Sequence, residues 1–264
     1  MDKASVGGVI LAIVGIVAGL LIEGGNLGQV LQPTAALIVF GGTMGAVLVQ
    51  FPLTTVLSAF RNLVRVFRAQ RKQNDKLIRL LVGFANKARR NGVVSLDADL
   101  ATIQDPFLKQ AVMLAVDGTE PTELRKIMRV NLEAMSEHEE RMPSVFESAG
   151  GFAPTIGILG AVLGLIQVMQ HLDNIQEVGR GIAVAFVATI YGVGAANLFF
   201  LPFAGKMRLQ MRDEHQRREM MLEAVISILE GMNPRMLEVK LTGFLQDSTP
   251  PERVKDEPRR ERVA

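Results

Sequence analysis

The stretch ASVGGVILAIVGIVAGLLI, residues 4–22, decides the fold class of this chain. It contains no charged residue, and three later stretches share this property: residues 24–60, 149–170 and 181–205. A helix needs about 20 apolar residues to cross the roughly 30 Å hydrocarbon core of a membrane. The sequence therefore predicts an all-α integral membrane protein with four transmembrane helices. We expect these spans at 4–22, 32–51, 149–171 and 181–203.

Composition separates this interpretation from two alternatives. A mean hydropathy of +0.25 with 21% charged residues indicates that charge is confined to particular segments. Four buried helices of a soluble core would be unusual in a chain with one Tyr, no Trp and little strand-like alternation. A secretory signal peptide is disfavoured because the charged residues before the first stretch are only Asp2 and Lys3, and no small-residue cleavage pattern leads into a soluble domain. We expect the first span to be retained.

Several classes of chemistry are excluded by residue content. The absence of cysteine excludes disulfides, thiolate metal sites and thiol catalysis. A net charge of +2 argues against nucleic acid as a partner, which would require a clustered basic surface. The third and fourth spans lack Ser, Asp and internal His, so no nucleophile and base can meet within the membrane. We expect no catalytic residue, no metal and no cofactor.

The distribution of Lys and Arg predicts the orientation in the membrane. Basic residues directly follow the second and fourth spans: Arg61, Arg65, Arg68, Arg71, Lys72, Lys206, Arg208 and Arg212. The two short loops, 23–31 and 171–180, contain a single basic residue, Arg180. By the positive-inside rule, both termini and the 61–148 segment are cytoplasmic.

The polar segments have helical signals. Asp105-Pro106 is a helix start and Gly118 a stop, and Asn91-Gly92 ends a run that begins near Asp75. A further helix near 122–142 leads to Pro143 and the third span. Lys206–Gly231 predicts a cytoplasmic extension of the fourth helix, with one apolar face formed by Leu222, Val225, Ile226 and Leu229. Beyond about residue 246 the Pro-rich, charged tail is expected to be disordered.

These signals divide the chain into five predicted segments. They are an N-terminal transmembrane hairpin (1–60), a cytoplasmic helical domain (61–148), a C-terminal transmembrane hairpin (149–205), a cytoplasmic helix extension (206–245) and the tail (246–264).

Small residues recur at helical spacing in three spans. The GxxxG pairs are Gly15 with Gly19, Gly41 with Gly45, and Gly160 with Gly164. Such pairs let helix backbones approach closely. The sequence does not specify which helix packs against these pairs, and a second copy of this chain is one candidate.

Ionisable residues are missing from all four spans. A protein that moves ions usually places such a group inside the bilayer, where it is costly and functional. His171 lies at the outer end of the third span and is interpreted as interfacial. If the protein handles ions, another polypeptide must supply the titrating group.

Each of the last two spans contains a Pro and a Thr. Pro154 and Pro202 fall at the cytoplasmic ends of two antiparallel helices, where each frees a backbone carbonyl and can act as a hinge. Thr155 and Thr189 could offer hydroxyls to a polar path. Alternatively, the prolines only kink packed helices and the hydroxyls bond to their own backbone.

Four stretches carry a family resemblance. They are APTIGILGAVLGLIQVMQHLDN (153–174), AVAFVATIYGVGAANLFFLPFAGKM (183–207), LEAVISILEGMNPRMLEVKL (222–241) and GGTMGAVLVQFP (41–52). They resemble the MotA family, the stator subunits of the bacterial flagellar motor, over nearly the whole chain to about residue 245. The related ExbB and TolQ proteins have three spans and lack the N-terminal hairpin.

The resemblance implies an assembly and a location. The assembly is a homopentamer in the bacterial inner membrane, surrounding the transmembrane helices of a MotB dimer whose aspartate takes up the ion. Pro154 and Pro202 then shape the ion-linked movement, and Thr189 lines the path near that aspartate.

A cytoplasmic segment resembles the part of MotA that engages the rotor protein FliG. In KARRNGVVSLDADL (87–100), Arg89 and Asp97 stand at the matching charged positions, with Arg90 and Asp99 close by. Asp97 stands where the family also uses Glu. Without the resemblance, all four charges suit the dipoles of two helices, one ending at Asn91-Gly92 and one starting near Ser95.

The resemblance also bears on the coupling ion. Sodium-driven members carry Thr at the positions of Ala161 and Ala188, so two hydroxyl ligands are missing and we expect a proton. The leading hypothesis is a stator subunit of the flagellar motor that converts ion flow into torque. An alternative is a related energiser of the ExbB and TolQ type that powers gliding, envelope transport or defence, and a membrane scaffold is a third.

Overall fold

The computed structural model describes residues 3–66 and 74–244, and the predicted tail lies outside these ranges. Their regular secondary structure is entirely helical, so the predicted all-α fold class is confirmed. The α-helices, in chain order, are α1 (Lys3–Ile22), α2 (Leu27–Val30), α3 (Pro33–Ala36), α4 (Gly42–Gln50), α5 (Leu53–Val66), α6 (Asn74–Asn91), α7 (Pro106–Val116), α8 (Pro121–Gln170), α9 (Ile175–Ala195), α10 (Leu201–Leu229) and α11 (Pro234–Thr242).

Two π-helical turns and one 3₁₀ helix complete the helical structure of residues 3–66 and 74–244. The π turns join α3 to α4 at Leu37–Gly41 and α9 to α10 at Ala196–Phe200. The 3₁₀ helix covers Val93–Asp99. The π turns make Pro33–Gln50 and Ile175–Leu229 continuous helical stretches.

Within the described residues, four helical stretches are long and apolar enough to cross a membrane, as the sequence predicts. They are Ala4–Ile22, Pro33–Gln50, part of Pro121–Gln170 and part of Ile175–Leu229. The fourth helix begins at Ile175 rather than at 181, because the Asn174 side chain accepts hydrogen bonds from the backbone N–H groups of Gln176 (3.1 Å) and Glu177 (3.5 Å). This cap satisfies N–H groups that have no partner within the helix.

The helix predicted near 122–142 is confirmed, but it does not end before the third span. Helix α8 runs without interruption for 50 residues from Pro121 to Gln170, with Pro143 and Pro154 inside it. A proline inside a helix costs about 3 kcal/mol because it removes one hydrogen bond and crowds the preceding turn. Pro143 is itself buried and is followed by Val145 and Phe146, each 1% exposed, so tertiary packing offsets this cost.

Most predicted boundaries in the polar segment are confirmed. Helix α6 ends at Asn91 and is followed by Gly92, whose φ of +81° favours glycine, and Gly118, with the same φ, follows α7. Asp105 caps α7 by accepting from the backbone N–H groups of Phe107 (2.9 Å) and Leu108 (3.2 Å).

The predicted helix start near Ser95 is wrong. Ser95 lies within the 3₁₀ helix, and its hydroxyl donates to the Gly92 carbonyl at 2.6 Å instead of capping a following helix. Short polar side chains compete for local backbone groups in this way.

The described residues fall into two compact units. The first draws on Met1–Arg71 and Glu133–Glu214, and the second on Lys72–Leu132 and His215–Ala264. Segments 61–148 and 206–245 of the predicted division therefore contribute to both units.

Two apolar clusters lie among the described residues of the first unit. One contains Val47, Val56, Ala59, Val145, Phe146, Ala149, Ala204 and Met207, and the other contains Ala35, Val39, Val187 and Ala188. Helix α1 contributes to neither cluster, and Leu11 on it is 74% exposed. Its apolar surface is available to lipid or to another chain.

In the second unit, the predicted apolar face of α10 is buried. Leu222, Val225 and Ile226 are at most 3% exposed, and Leu229 is half-buried. Helix α11 packs against α6, and the 3₁₀ helix contacts α6 and α7.

Candidate ion-path and rotor surfaces

The contact between α8 and α9 is built from glycines. A Cβ atom placed on Gly157 would lie 2.9 Å from the Ala188 carbonyl oxygen, and one placed on Gly192 would overlap the Ala153 carbonyl oxygen. No side chain fits between these two backbones without a shift. The close approach brings the segment around Pro154 directly against the segment that carries Ala188 and Thr189.

One predicted glycine pair belongs to this contact and two do not. A Cβ on Gly160 would lie 2.7 Å from the Cβ of Ala188, and one on Gly164 would lie 2.7 Å from the Gly181 carbonyl oxygen. The other pairs, Gly15 with Gly19 and Gly41 with Gly45, have no atom within 4 Å of such a Cβ in the described part of the chain. Sequence reasoning missed Gly157, Gly181 and Gly192, because they do not form a GxxxG pair on one helix.

The two threonine hydroxyls bond to their own helices. Thr155 is exposed and its Oγ1 donates to the Phe152 carbonyl oxygen at 2.8 Å, while Thr189 donates to the Ala185 carbonyl oxygen at 3.2 Å. Each hydroxyl keeps an acceptor lone pair free for a water or a proton donor. The geometry therefore leaves both threonines usable in a polar path.

Ala161 and Ala188, at whose positions sodium-driven members of the family carry Thr, differ in environment. Ala188 is 0% exposed and lies in the cluster with Ala35 and Val39, facing Gly160. Ala161 is half-buried on α8. A hydroxyl-bearing side chain at 188 would have to displace the close contact between α8 and α9.

The two prolines lie at the same end of the helices. Gly150, four residues before Pro154, faces Leu201, which precedes Pro202: a Cβ on Gly150 would lie 2.6 Å from Cδ2 of Leu201. The π turn Ala196–Phe200 ends at this level, and the Leu201 N–H donates to the carbonyl of Ala196, five residues back. A π turn weakens the regular hydrogen-bond ladder, so two prolines and a widened turn interrupt regular helix geometry at this level.

The four residues of the predicted rotor surface differ in their contacts: three are exposed, and one forms a salt bridge. Arg89 and Arg90 are exposed in the last turn of α6, and Asp97 is exposed in the 3₁₀ helix. Asp99 is half-buried and accepts a salt bridge from Lys87 at 2.7 Å. Asp99 therefore ties the 3₁₀ helix to α6, while the other three charges face outward.

Two ion-pair networks were not predicted from the sequence. Glu147 on α8 accepts a bidentate pair from Arg208 on α10, with Nη2 at 2.6 Å from Oε2. Glu223 on α10 accepts from Arg125 on α8 and from Lys240 on α11, the latter at 2.9 Å. Their partners are at least 17 residues apart in sequence, so no local pattern identifies them.

The Glu223 network has a clear electrostatic consequence. Burial raises the pKa of Glu223, but hydrogen bonds and charge from Arg125 and Lys240 outweigh burial and hold its pKa below the ordinary value of 4.5. Lys240 also donates to the hydroxyl of Ser227 (3.1 Å), which is 0% exposed. Three helices of the second unit meet at this carboxylate.

Tyr191 and Thr43 are two further polar side chains among the apolar helices. The Tyr191 hydroxyl donates to the Val30 carbonyl oxygen at 2.6 Å and accepts from the Gln32 N–H at 3.3 Å. Tyr191 thereby holds the break between α2 and α3, where the helix does not satisfy these backbone groups.

Thr43, on α4, is 2% exposed, and its hydroxyl has no hydrogen-bond partner among the described residues.

Comparison with protein families gives two matches that together span most of the chain. The family described as the MotA/TolQ/ExbB proton channel family matches residues 99–220, and the family described as Motility protein A N-terminal matches residues 6–92.

Full-length relatives and solved structures agree with these matches. Motility protein A of Bacillus subtilis (strain 168) is 38% identical over 247 residues, covering 93% of this chain and 91% of the relative. Motility protein A of Helicobacter pylori (strain ATCC 700392 / 26695) is 31% identical, covering 95% of this chain and 97% of the relative. The solved structure of C. jejuni MotAB matches with a TM-score of 0.88 at 34% identity, covering 95% of this chain and 98% of that chain. The flagellar MotAB stator complex from Bacillus subtilis matches with a TM-score of 0.84 at 38% identity, covering 92% of this chain and 96% of that chain.

The fold and these matches define a membrane protein of the channel-subunit class. The chain belongs to the MotA/TolQ/ExbB proton channel family. The resemblance to MotA seen in the sequence is confirmed by relatives and structures that cover nearly the whole chain.

Proposed function

We propose that this chain is a stator subunit of the bacterial flagellar motor, and that with a MotB-type partner it forms a proton channel whose ion flow drives rotation. The observation that carries the proposal is the match along 92–95% of the chain to two solved MotAB structures, at 34–38% identity. Both the N-terminal hairpin and the long cytoplasmic helices take part in that match, so it is not limited to the channel-forming hairpin.

The partner supplies the group that binds the ion. The windows that can cross the membrane are apolar, and the runs 4–22, 24–60, 149–170 and 181–205 contain no charged residue. A proton cannot be stored on these helices without a carboxylate or an imidazole, so a second chain must bring one. Pro154, Pro202 and the adjoining π turn act as the hinge that responds to its protonation, and Thr155 and Thr189 contribute hydroxyls beside the path.

The coupling ion is a proton rather than sodium. A sodium ion needs several oxygen ligands to replace its hydration shell, and the side chains of Ala161 and Ala188 provide none. The burial of Ala188 against Gly160 supports this choice, because that position has no space for an added ligand without movement of α8.

Outward-facing charges engage the rotor protein, which by the resemblance is FliG. Arg89, Arg90 and Asp97 are exposed, whereas Asp99 serves the salt bridge with Lys87. An exposed ion pair contributes about 0.2–1 kcal/mol, so single neutralisations weaken torque without loss of folding. Reversing Arg89 together with its rotor partner restores part of the motility, and neutralising Asp99 instead loosens the 3₁₀ helix.

The functional assembly is a homopentamer around two partner helices in the bacterial inner membrane, with both termini in the cytoplasm. Helix α1 has no buried residue in its membrane-spanning window, and this surface, with the open glycine pairs on α1 and near α4, supports further helix packing outside the single chain. Purification with the cognate partner should give five copies of this chain to two of the partner by native mass spectrometry. A 1:1 complex or a stable monomer contradicts the pentamer.

One experiment tests the stator function directly. Deleting this gene should leave flagella assembled but not rotating, and induced expression should restore rotation in discrete speed steps. Rotation should continue without sodium and stop with a protonophore, and rotation that scales with external sodium at a fixed proton gradient would contradict the proton proposal. Normal rotation after deletion contradicts the flagellar role and favours the energiser alternative.

A further inference from the structure

Helix α5 begins where the second membrane span ends. The span window closes at Gln50, Phe51 is extended (φ −122°, ψ 144°), and α5 starts at Leu53 after Pro52. Proline cannot continue the hydrogen-bond ladder of α4, so the chain turns at this point. The start of α5 therefore lies within a few residues of the edge of the hydrocarbon core.

The two faces of α5 are both apolar, but the described part of the chain covers only one of them. Val56 and Ala59, at 3% and 0% exposed, pack in the cluster with Val145, Phe146 and Ala149. Leu53 (60% exposed), Leu57 (59%) and Phe60 (38%) form a second stripe at i, i+4 and i+7. We call these three residues the α5 stripe.

Positive charge accompanies the α5 stripe. Arg61 is exposed and lies four residues after Leu57, so the two side chains are neighbours on the helix surface. The sequence from 24 to 74 contains no acidic residue, while basic residues follow at 65, 68, 71 and 72. A second copy of α5 would bring the same positive charge, which disfavours it as the occupant of this face.

We propose that the α5 stripe lies in the headgroup region of the membrane and that Arg61 beside it binds anionic phospholipid headgroups in preference to zwitterionic ones. A helix with an apolar face and flanking basic residues binds the membrane interface in this way. The long Arg side chain can reach the phosphate layer while Leu57 remains among the acyl chains. Each basic residue near an anionic surface contributes enough attraction to enrich anionic lipid about five-fold.

The absence of Trp from the chain permits a direct test. The full chain carrying Leu57→Trp is reconstituted in vesicles of phosphatidylcholine with phosphatidylglycerol, in which one or the other lipid has brominated acyl chains at equal mole fraction. Bromine quenches tryptophan only in close contact. We expect brominated phosphatidylglycerol to quench more strongly, corresponding to about five-fold local enrichment, and the preference to weaken at high salt.

Two further variants are the matched controls. Arg61→Gln in the Leu57→Trp background should bring the quenching ratio towards one. Leu11→Trp, at a 74% exposed position of α1, should be quenched equally by both lipids. If Leu57→Trp does not assemble, Leu53→Trp reports on the same stripe.

Three results would overturn the proposal. Absence of quenching by either lipid means that protein, such as a second copy, covers the stripe. Equal quenching by both lipids means that the stripe contacts lipid without selecting charge. An unchanged ratio in Arg61→Gln removes Arg61 from the interaction.

Discussion

At the residue scale, single polar side chains hold the places where helices of this chain are interrupted or joined. Tyr191 satisfies backbone groups on both sides of Leu31, between α2 and α3, and its ring centroid lies 5.9 Å from that of Phe40. Glu223 joins three helices through two cations. The role of each residue is recognisable only when its partners, which lie far away in sequence, are known.

Tyr191→Phe removes one hydroxyl and keeps the ring contact. We expect a loss of about 1 kcal/mol, since the Val30 carbonyl and the Gln32 N–H both lose a partner in a partly buried site. Faster hydrogen exchange confined to residues 30–33 would be the specific readout. Unchanged exchange there, with a general decrease in melting temperature, would show that the hydroxyl does not hold this break.

Glu223→Gln tests the charge of the second network. We expect a loss of about 1–2 kcal/mol at neutral pH, because Arg125 and Lys240 lose a charged acceptor. The Glu223 pKa is lowered by folding, so its contribution is complete above about pH 4.5 and is lost as pH falls through the folded-state value.

The readout is the difference in melting temperature between parent and Glu223→Gln, followed by circular dichroism in detergent. It should stay constant from pH 8 to about 5 and shrink below about 4.5. Glu238→Gln, at an exposed position of α11, is the matched control and should change little. A difference as large at pH 3 as at pH 7 would contradict the charge mechanism.

At the element scale, α8 and α9 depend on close backbone packing rather than on large side chains. Gly157 and Gly192 face each other, and Gly164 faces Gly181, along the length of the contact. Membrane helices gain little from apolar burial against each other, so dispersion contacts between close backbones become important. This packing also positions Pro154 opposite the C-terminal part of α9.

Gly192→Ala should disrupt the hairpin, whereas Gly194→Ala should not. A Cβ at 192 meets the backbone of α8, and such overpacking costs about 1–3 kcal/mol. A Cβ at 194 has nothing within 4 Å in the described part of the chain, and alanine has the better helix propensity. Thermal stability and the yield of assembled complex measure both variants. Equal damage from Gly194→Ala would mean that another chain packs there.

At the scale of the whole molecule, the orientation in the membrane remains a prediction from basic residues. A reporter enzyme fused after residue 246 or inserted near Asn74 should read as cytoplasmic. One inserted at Gly24, in the exposed turn between α1 and α2, should read as periplasmic. The opposite pattern would reverse the topology, while a cytoplasmic signal at all three sites would mean that α1 does not cross the membrane.

Features that depend on local chemistry could be predicted from the amino-acid sequence. Uncharged runs such as 4–22 predicted the four spans, because charge is expensive in lipid wherever the chain goes. Asp105-Pro106 and Gly92 marked helix ends, because a cap and a positive φ act within a few residues. The sequence also named the charged and proline residues of the candidate site, and their roles stay predictions.

Tertiary structure decided the features in which distant segments compensate for local preferences. Pro143 did not end α8, because packing around Phe146 offsets the lost hydrogen bond. The π turns before Gly42 and Leu201 carry no sequence signal, and the roles of Gly157 and Gly192 depend on which backbone lies opposite. Glu223 and Asp99 acquired their partners only on folding, since a salt bridge requires two side chains to meet and their sequence positions do not specify that meeting.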